Sequence, residues 1–188
     1  PSIPDRTAAI LEGGEDPLPP LKRSARLLEG SGAQLLLLPC NTAHYFYDEV
    51  QSSVSIPVLN MLAITAQACR AQGFGKIGLL STTGTAKSGV YEVAFLKESV
   101  GCVTPHEDEM GVVMRYIYQY KAGHPIPERE PLIAIIKSLS ARGAEAIVLG
   151  CTELPMIVEG LDSPLPLIDP TLLLAKAAVQ AAQEVEKN

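Results

Sequence analysis

The most regular apolar pattern in the chain occurs twice, and each copy ends at a cysteine. Residues 32–42 read GAQLLLLPCNT, and residues 143–152 read GAEAIVLGCT. An uninterrupted run of aliphatic residues after Gly-Ala is typical of a strand buried on both faces, as in a parallel sheet. The two copies predict two related half-chains, each with a cysteine at the carboxyl end of a buried strand.

Apolar runs alternate with amphipathic segments along the whole chain. Strands are predicted at residues 34–38, 56–60, 76–81, 101–104, 144–149 and 165–168. Helices are predicted at residues 17–30, 41–50, 61–72, 88–100, 107–121, 128–142, 152–158 and 170–186. This alternation predicts an α/β fold with two pseudo-symmetric lobes, each with a parallel sheet flanked by helices, and an active site in the interlobe cleft. We assign residues 1–74 and 165–188 to the first lobe and residues 75–164 to the second.

Composition and charge narrow the classes of function. Of the 188 residues, 47% are hydrophobic, and the formal net charge is −6. A negative net charge without a basic cluster disfavours nucleic-acid binding. No apolar run approaches the length of a membrane span. Because the 4 cysteines include no Cys-x-x-Cys pair, they indicate a reducing, cytoplasmic compartment. The composition therefore favours a cytoplasmic enzyme that binds neither nucleic acid nor a membrane.

Cys40 and Cys151 are candidates for proton transfer. A thiol at the start of a helix meets unpaired backbone N–H groups, which lower its pKa below the ordinary value of about 8.5. His44 follows Cys40 by one helical turn, so it could tune that thiol, contact a ligand or serve as a buried structural histidine. Cys69 and Cys102 lie inside predicted elements and are predicted to be core residues. The relevant cysteines lack paired ligand spacing, so no metal site is predicted.

Several other polar residues have two open interpretations. The threonines of the segment at residues 81–85 follow a predicted strand, where they would either cap a helix or present donors to an anion. Arg6 follows a predicted turn, and Lys121 lies in the last turn of a predicted helix. Both positions are also typical of solvated charges, so the pattern alone does not assign either residue to a ligand.

Two short motifs carry a resemblance to a known family. PCNTAH at residues 39–44 and GCTE at residues 150–153 resemble the paired signatures of the aspartate/glutamate racemase superfamily. Four further segments resemble its aspartate racemase branch in the same order: IPDRT at 3–7, STTGT at 81–85, IYQYKAG at 117–123 and PLIDP at 166–170. The resemblance covers nearly the whole chain.

The resemblance implies an isomerase that uses neither pyridoxal phosphate nor a metal. Cys40 and Cys151 would act as acid and base on opposite faces of the α-carbon of a dicarboxylic amino acid, with aspartate as the leading substrate. Arg6 and Lys121 would bind its carboxylate groups, and Arg6 could do so bidentately. Members of the family are often dimers, so the resemblance also implies a homodimer.

The resemblance supplies further site residues. The donors to the amino and carboxylate groups of the substrate would be Asn41, Thr42, Thr82, Thr83 and Thr152. His44, Tyr118 and Glu153 are additional candidates for the site. The segment that contains Tyr118 is one residue shorter than the usual family segment.

The chain also departs from the family pattern at its start. It has no counterpart to the family's leading strand with a Gly-Gly-Met loop, the helix after it and the next strand. The first lobe is therefore expected to be N-terminally incomplete. The alternatives to aspartate racemisation are a glutamate or broad-specificity amino-acid racemase, a maleate isomerase-like enzyme, and an inactive remnant that binds dicarboxylates.

Overall fold

Helices and strands alternate along the part of the chain that a computed structural model describes, residues 3–126 and 128–185. The strands are β1 (Leu36–Leu37), β2 (Val58–Leu59), β3 (Lys76–Ser81), β4 (Gly101–Val103), β5 (Ala146–Gly150) and β6 (Leu167–Ile168). The helices are α1 (Arg6–Glu12), α2 (Leu18–Gly30), a 3-10 helix (Thr42–Phe46), α3 (Tyr47–Gln51), α4 (Met61–Ala71), α5 (Thr83–Lys87), α6 (Val90–Lys97), α7 (Glu107–Lys121), α8 (Glu130–Ala141), α9 (Leu154–Ile157) and α10 (Pro170–Val185).

The strands form two parallel sheets. In one sheet β1 pairs with β2, and in the other the strand order is β4-β3-β5-β6. Every pair in both sheets is parallel. All five residues of β5 are buried, as the apolar run predicts for a strand covered on both sides. The structure confirms the predicted α/β class with parallel sheets flanked by helices.

Alternate residues of the central strands pack against different layers of helices. Leu80 of β3 belongs to an apolar cluster that includes Val113 and Ile136, from α7 and α8. Leu79, its neighbour on the other face of the sheet, belongs to a cluster with Leu62 and Cys69 of α4 and with Tyr91 and Phe95 of α6. Cys69 is therefore a core residue, as predicted.

Some elements differ from the sequence prediction. The helix predicted at residues 88–100 is interrupted at Gly89, whose φ of +70° lies in the left-handed region that glycine adopts readily. Residues after Cys40 form a 3-10 helix before the α-helical turn of α3. The helix after Cys151 is only four residues long. Residue 186, the predicted end of the last helix, lies outside the described residues.

The carboxyl-terminal segment contacts both sheets. Strand β6 pairs with β5, while α10 packs mainly against α4 and also contacts β2. The lobe boundaries proposed above stay a prediction. Within the described residues, no helix combines the length and the apolar character needed to cross a membrane.

Candidate active site

A cavity of about 110 Å³ lies where β1, β3 and β5 reach their carboxyl ends. Ligands of open α/β sheets bind at this edge. The lining residues come from the start of α1, the segments after the three strands and the end of α7: Asp5, Arg6, Thr7, Pro39, Cys40, Asn41, Thr42, Thr82, Lys121, Gly150, Cys151, Thr152 and Glu153. The cavity thus brings together both candidate cysteines and both candidate cations.

Cys40 is half-buried, and its backbone is held on both sides. Its N–H donates to the Leu38 carbonyl at 2.8 Å. Its carbonyl oxygen lies 2.9 Å from Nδ1 of His44, whose Nε2 accepts a hydrogen bond of 3.0 Å from the Met61 N–H. Because Nε2 accepts, Nδ1 carries the proton and donates to the Cys40 carbonyl.

His44 contacts the backbone of Cys40 rather than the cavity. It is 5% exposed, and burial lowers its pKa to about 4, so the imidazole is neutral at pH 7. Its two hydrogen bonds join the segment after β1 to the start of α4. Of the three alternatives that the sequence left open for this residue, the geometry corresponds to the structural histidine.

Three threonine hydroxyls connect the segment after β1 to the segment after β3. Oγ1 of Thr42 lies 2.7 Å from Oγ1 of Thr85 and 3.1 Å from Oγ1 of Thr82, and the last two are 3.1 Å apart. Thr82 also accepts a hydrogen bond of 3.2 Å from the Thr85 N–H, and it is the N-cap of α5. Thr82 therefore caps a helix and lines the cavity as well.

Cys151 occupies a different environment. It is 7% exposed, and its thiol donates to Oε2 of Glu153 at 2.8 Å. The Thr152 hydroxyl donates to the same oxygen at 3.2 Å, and Nζ of Lys121 lies 3.7 Å from Oε1 of Glu153. Glu153 thus contacts the thiol, the hydroxyl and the ammonium group together.

The pKa prediction for Cys151 was wrong. Burial first, and then the hydrogen bond and negative charge of Glu153, raise the pKa of this thiol to about 12. The helix that was expected to lower the pKa begins only at Leu154 and has four residues. Its few N–H groups do not compensate for a buried position beside a carboxylate. Without a ligand, Cys151 is therefore a protonated thiol at neutral pH.

The two cations reach the cavity from different helices. Arg6 is the first residue of α1, and its guanidinium donates to the Pro4 carbonyl at 3.0 Å. Helix α1 can approach α5 closely because residue 84 is glycine. A Cβ atom at Gly84 would lie 2.6 Å from Oγ1 and 2.9 Å from Cα of Thr7. Lys121, which ends α7, is held beside the cavity by Glu153.

Besides His44, two of the predicted site residues do not line this cavity. The Thr83 N–H is directed to the Met114 sulfur at 3.3 Å. Tyr118 is 49% exposed, and its ring centroid lies 5.9 Å from Nζ of Lys121, which is within cation–π range. Tyr118 therefore contacts the cavity only through Lys121.

Sequence reasoning did not assign Thr85 and Tyr91 to the site. Thr85 lies in the quoted STTGT segment, so its hydroxyl was a detectable signal. Tyr91 is fully buried, and its hydroxyl donates to Oδ1 of Asn41 at 2.6 Å. No spacing in the sequence indicates that contact. Among the described residues, no group of three or more His, Cys, Asp and Glu side chains could hold a metal ion.

Comparisons with known proteins agree with this architecture. The aspartate racemase of Picrophilus torridus superposes on 96% of this chain with a TM-score of 0.83 and 31% identity, and the chain covers 76% of it. The broad-specificity amino-acid racemase RacX of Bacillus subtilis is 28% identical over 153 residues, which are 81% of this chain and 66% of that protein. The glutamate racemase of Persephonella marina is 26% identical over 135 residues, which are 71% of this chain and 51% of that protein.

The family follows from a match over most of the chain. The chain spans about two thirds of the length of RacX and about half of the length of the Persephonella marina glutamate racemase. The sequence model of the Asp/Glu/Hydantoin racemase family matches residues 1–178. This match confirms the resemblance carried by the two cysteine motifs. The chain belongs to the Asp/Glu/Hydantoin racemase family.

Proposed function

We propose that this protein is a cofactor-independent racemase that interconverts L- and D-aspartate, with Cys40 and Cys151 as the paired acid and base. The observation that carries the proposal is that both cysteines line one cavity together with Arg6 and Lys121. We infer that this cavity is the cleft between the two lobes. A substrate in this cavity would have Cys40 and Arg6 of the first lobe on one side and Cys151 and Lys121 of the second lobe on the other.

In the proposed reaction each thiol handles one proton. The Cys40 thiolate removes the α-proton from one face of the substrate, and the electron pair of the broken C–H bond stays on the α-carbon. The Cys151 thiol then donates its proton to the opposite face, which forms the other enantiomer and leaves a Cys151 thiolate. The reverse direction exchanges the two roles, and proton exchange with solvent returns the free enzyme to its starting form.

The Glu153 contact suits Cys151 for the role of acid. A thiol that donates to a carboxylate at 2.8 Å retains its proton until an acceptor stronger than Glu153 forms. The carbanion-like α-carbon is such an acceptor. The reverse direction starts from the state that the forward step leaves, in which Cys40 carries the proton and Cys151 is the thiolate, so the Cys151 thiolate removes the α-proton and the Cys40 thiol donates its own.

The charged groups support an acidic substrate. Arg6 and Lys121 offer one cation to each of two carboxylates. The distance of 3.7 Å between Lys121 and Glu153 exceeds that of a hydrogen bond, so a substrate carboxylate can replace Glu153 as the partner of Lys121. We propose Thr42, Thr82 and Thr152 as further donors to the substrate.

Aspartate is favoured over glutamate because the aspartate racemase of Picrophilus torridus superposes on nearly the whole chain with a TM-score of 0.83. Glutamate and broad-specificity racemases are among the relatives, so glutamate is the second candidate substrate. A homodimer and a cytoplasmic location stay predictions from the sequence.

Proton exchange in heavy water tests the proposed function. We expect NMR to show loss of the α-proton signal of L-aspartate and the appearance of D-aspartate on a chiral column. L-Glutamate and maleate are incubated in parallel. Faster exchange of glutamate than of aspartate would contradict the substrate assignment, and conversion of maleate to fumarate without α-exchange would replace the racemase with an isomerase of the maleate type. Binding of succinate without exchange of either amino acid would indicate an inactive dicarboxylate-binding protein.

A further inference from the structure

The amide of Asn41 is held from one side only. Asn41 is 2% exposed and lines the cavity between the two cysteines. Its Oδ1 accepts a hydrogen bond of 2.6 Å from the Tyr91 hydroxyl. Its Nδ2 is buried and has no hydrogen-bond partner in the protein. An unpaired buried donor is costly, so a group that binds in the cavity and accepts from Nδ2 gains the energy of a hydrogen bond that the protein lacks.

The ring of Tyr91 is held in place by packing in the hydrophobic core. It lies in the first turn of α6 and is fully buried. Its ring stacks on Phe95 with a centroid distance of 5.5 Å, and it packs in the same apolar cluster as Leu62 and Ile77. The hydroxyl therefore has little freedom to move. Burial also raises the pKa of Tyr91, so the phenol keeps its proton and stays a donor.

We propose that Tyr91 is a positioning residue that fixes the orientation of the Asn41 amide, so that Nδ2 donates to a carboxylate oxygen of the substrate. Because the Tyr91 hydroxyl donates its proton, the amide must place its oxygen, the acceptor, toward Tyr91. The NH₂ group of Asn41 is then left to donate to the ligand. An amino-acid substrate offers acceptors only on its carboxylates, because its ammonium group is itself a donor. The inference deepens the proposed function and rests on it for the identity of the substrate.

The contact also links distant parts of the chain. Asn41 follows β1, whereas Tyr91 follows β3 by way of α5, and the two are 50 positions apart in sequence. The donor in the cavity is thereby positioned by the helix layer of the larger sheet. A displacement of α6 would therefore change the orientation of the Asn41 amide.

Two substitutions test the inference. Tyr91→Phe removes the hydroxyl and keeps the ring, and we expect it to weaken the binding of succinate roughly three- to tenfold, the effect of one hydrogen bond. Asn41→Asp keeps an oxygen opposite Tyr91 but replaces the NH₂ group with a second acceptor. We expect roughly a hundredfold weaker binding for Asn41→Asp, because a charged acceptor loses its donor and meets a like charge. Calorimetric titration with succinate measures both effects without requiring turnover.

A double-variant comparison separates positioning from packing. If Tyr91 acts through Asn41, Tyr91→Phe has no further effect on succinate affinity in an Asn41→Ala background. Tyr116→Phe is the matched control, because Tyr116 is equally buried and its hydroxyl donates to the Glu128 carbonyl, away from the cavity. We expect wild-type affinity for that variant.

Three results would overturn the inference. They are wild-type affinity in Tyr91→Phe, wild-type affinity in Asn41→Asp, and an equal loss from Tyr91→Phe with and without Asn41. If Tyr91→Phe unfolds, Asn41→Asp with a melting temperature near that of the wild type still decides the question. Failure of the α-proton exchange with the predicted succinate results would reject the proposed racemisation and leave the role of Tyr91 standing.

Discussion

The two cysteine segments have similar sequences but place their sulfur atoms in different surroundings. We call β1 with residues 39–46 the Cys40 arm and β5 with residues 151–154 the Cys151 arm. In the Cys40 arm a neutral histidine binds the backbone of a half-buried cysteine. In the Cys151 arm a carboxylate accepts the proton of a buried thiol. The repeated pattern thus determines where each cysteine lies, while burial and the neighbouring polar side chain, His44 or Glu153, make the surroundings of the two thiols different.

Because of this difference, we expect the free protein to treat the two enantiomers of the substrate differently. The Cys151 arm holds a proton next to the cavity, since burial and Glu153 raise the pKa of its thiol to about 12. In the Cys40 arm His44 binds the Cys40 carbonyl and the Met61 N–H, and no hydrogen bond among the described residues joins the Cys40 sulfur to a carboxylate. We therefore expect the free protein to bind first the enantiomer whose α-proton faces Cys40.

The largest expected effect comes from removing either thiol. Cys40→Ser and Cys151→Ser should each reduce racemisation roughly 10²- to 10⁴-fold, the usual contribution of a general acid or base. The two variants should differ in which enantiomer still exchanges its α-proton with deuterium while keeping its configuration. Cys151→Ser retains deuterium exchange of one enantiomer through Cys40, and Cys40→Ser retains exchange of the other. NMR of each pure enantiomer in heavy water measures this difference.

The control for the cysteine variants is Cys102→Ala. Cys102 packs beside the cluster of Leu62 and Phe95 and does not line the cavity, so racemisation should be unchanged. Identical exchange patterns for Cys40→Ser and Cys151→Ser would show that the thiols do not act on opposite faces, and the comparison of the two arms would lose its functional meaning.

The second prediction concerns the stability that the Cys40 arm derives from His44. The pKa of His44 is about 4 in the folded protein, compared with the ordinary value of 6.5 that applies to the unfolded chain. The unfolded chain therefore binds more protons between these values, and the free energy of unfolding falls as pH decreases from 6.5 to 4. The loss should be on the order of 3 kcal/mol.

Urea unfolding across that pH range measures the loss. In His44→Gln the contribution of this group disappears, so the variant should lose less stability on acidification than the wild type. His124→Gln changes an exposed histidine and should keep the wild-type slope. Equal slopes for wild type and His44→Gln would mean that the imidazole is not held neutral in the folded protein.

The third prediction tests the cation beside the Cys151 arm. Lys121→Met removes the charge but keeps an unbranched side chain, and the KM for aspartate should rise roughly ten- to a hundredfold, the effect of a hydrogen bond to a charged group. Lys87→Met is the matched control, because Lys87 forms an exposed ion pair with Glu107 at 3.9 Å. An unchanged KM in Lys121→Met would remove Lys121 from the substrate site.

The sequence predicted which cysteines would belong to the candidate site but not the electrostatics around them. Cys40 and Cys151 could be brought together in advance, because the repeated pattern predicts two half-chains that face one another, each with a cysteine at the carboxyl end of a strand. The Tyr91 contact could not, since its partner is 50 positions away and nothing in the segment VYEVAFLK distinguishes this tyrosine from a core residue. The pKa of Cys151 could not be predicted either, because it depends on the direction of the Glu153 side chain and on burial by residues from other elements.

The smallest expected effect sharpens the comparison most, because it alters one thiol without removing it. Glu153→Gln replaces the carboxylate beside Cys151 with a neutral amide. The pKa of Cys151 should fall below about 12, since the charge and the hydrogen-bonded carboxylate no longer favour the thiol. It should stay above the ordinary value of about 8.5, because burial, the largest cause of the shift, is unchanged. Ultraviolet titration of thiolate in a background of Cys40→Ser, Cys69→Ala and Cys102→Ala follows Cys151 as the one remaining cysteine of the four, and Glu159→Gln, at an exposed position, is the control. A pKa in Glu153→Gln equal to that of the control would mean that Glu153 does not hold the proton of Cys151, and the two arms would then differ in burial alone.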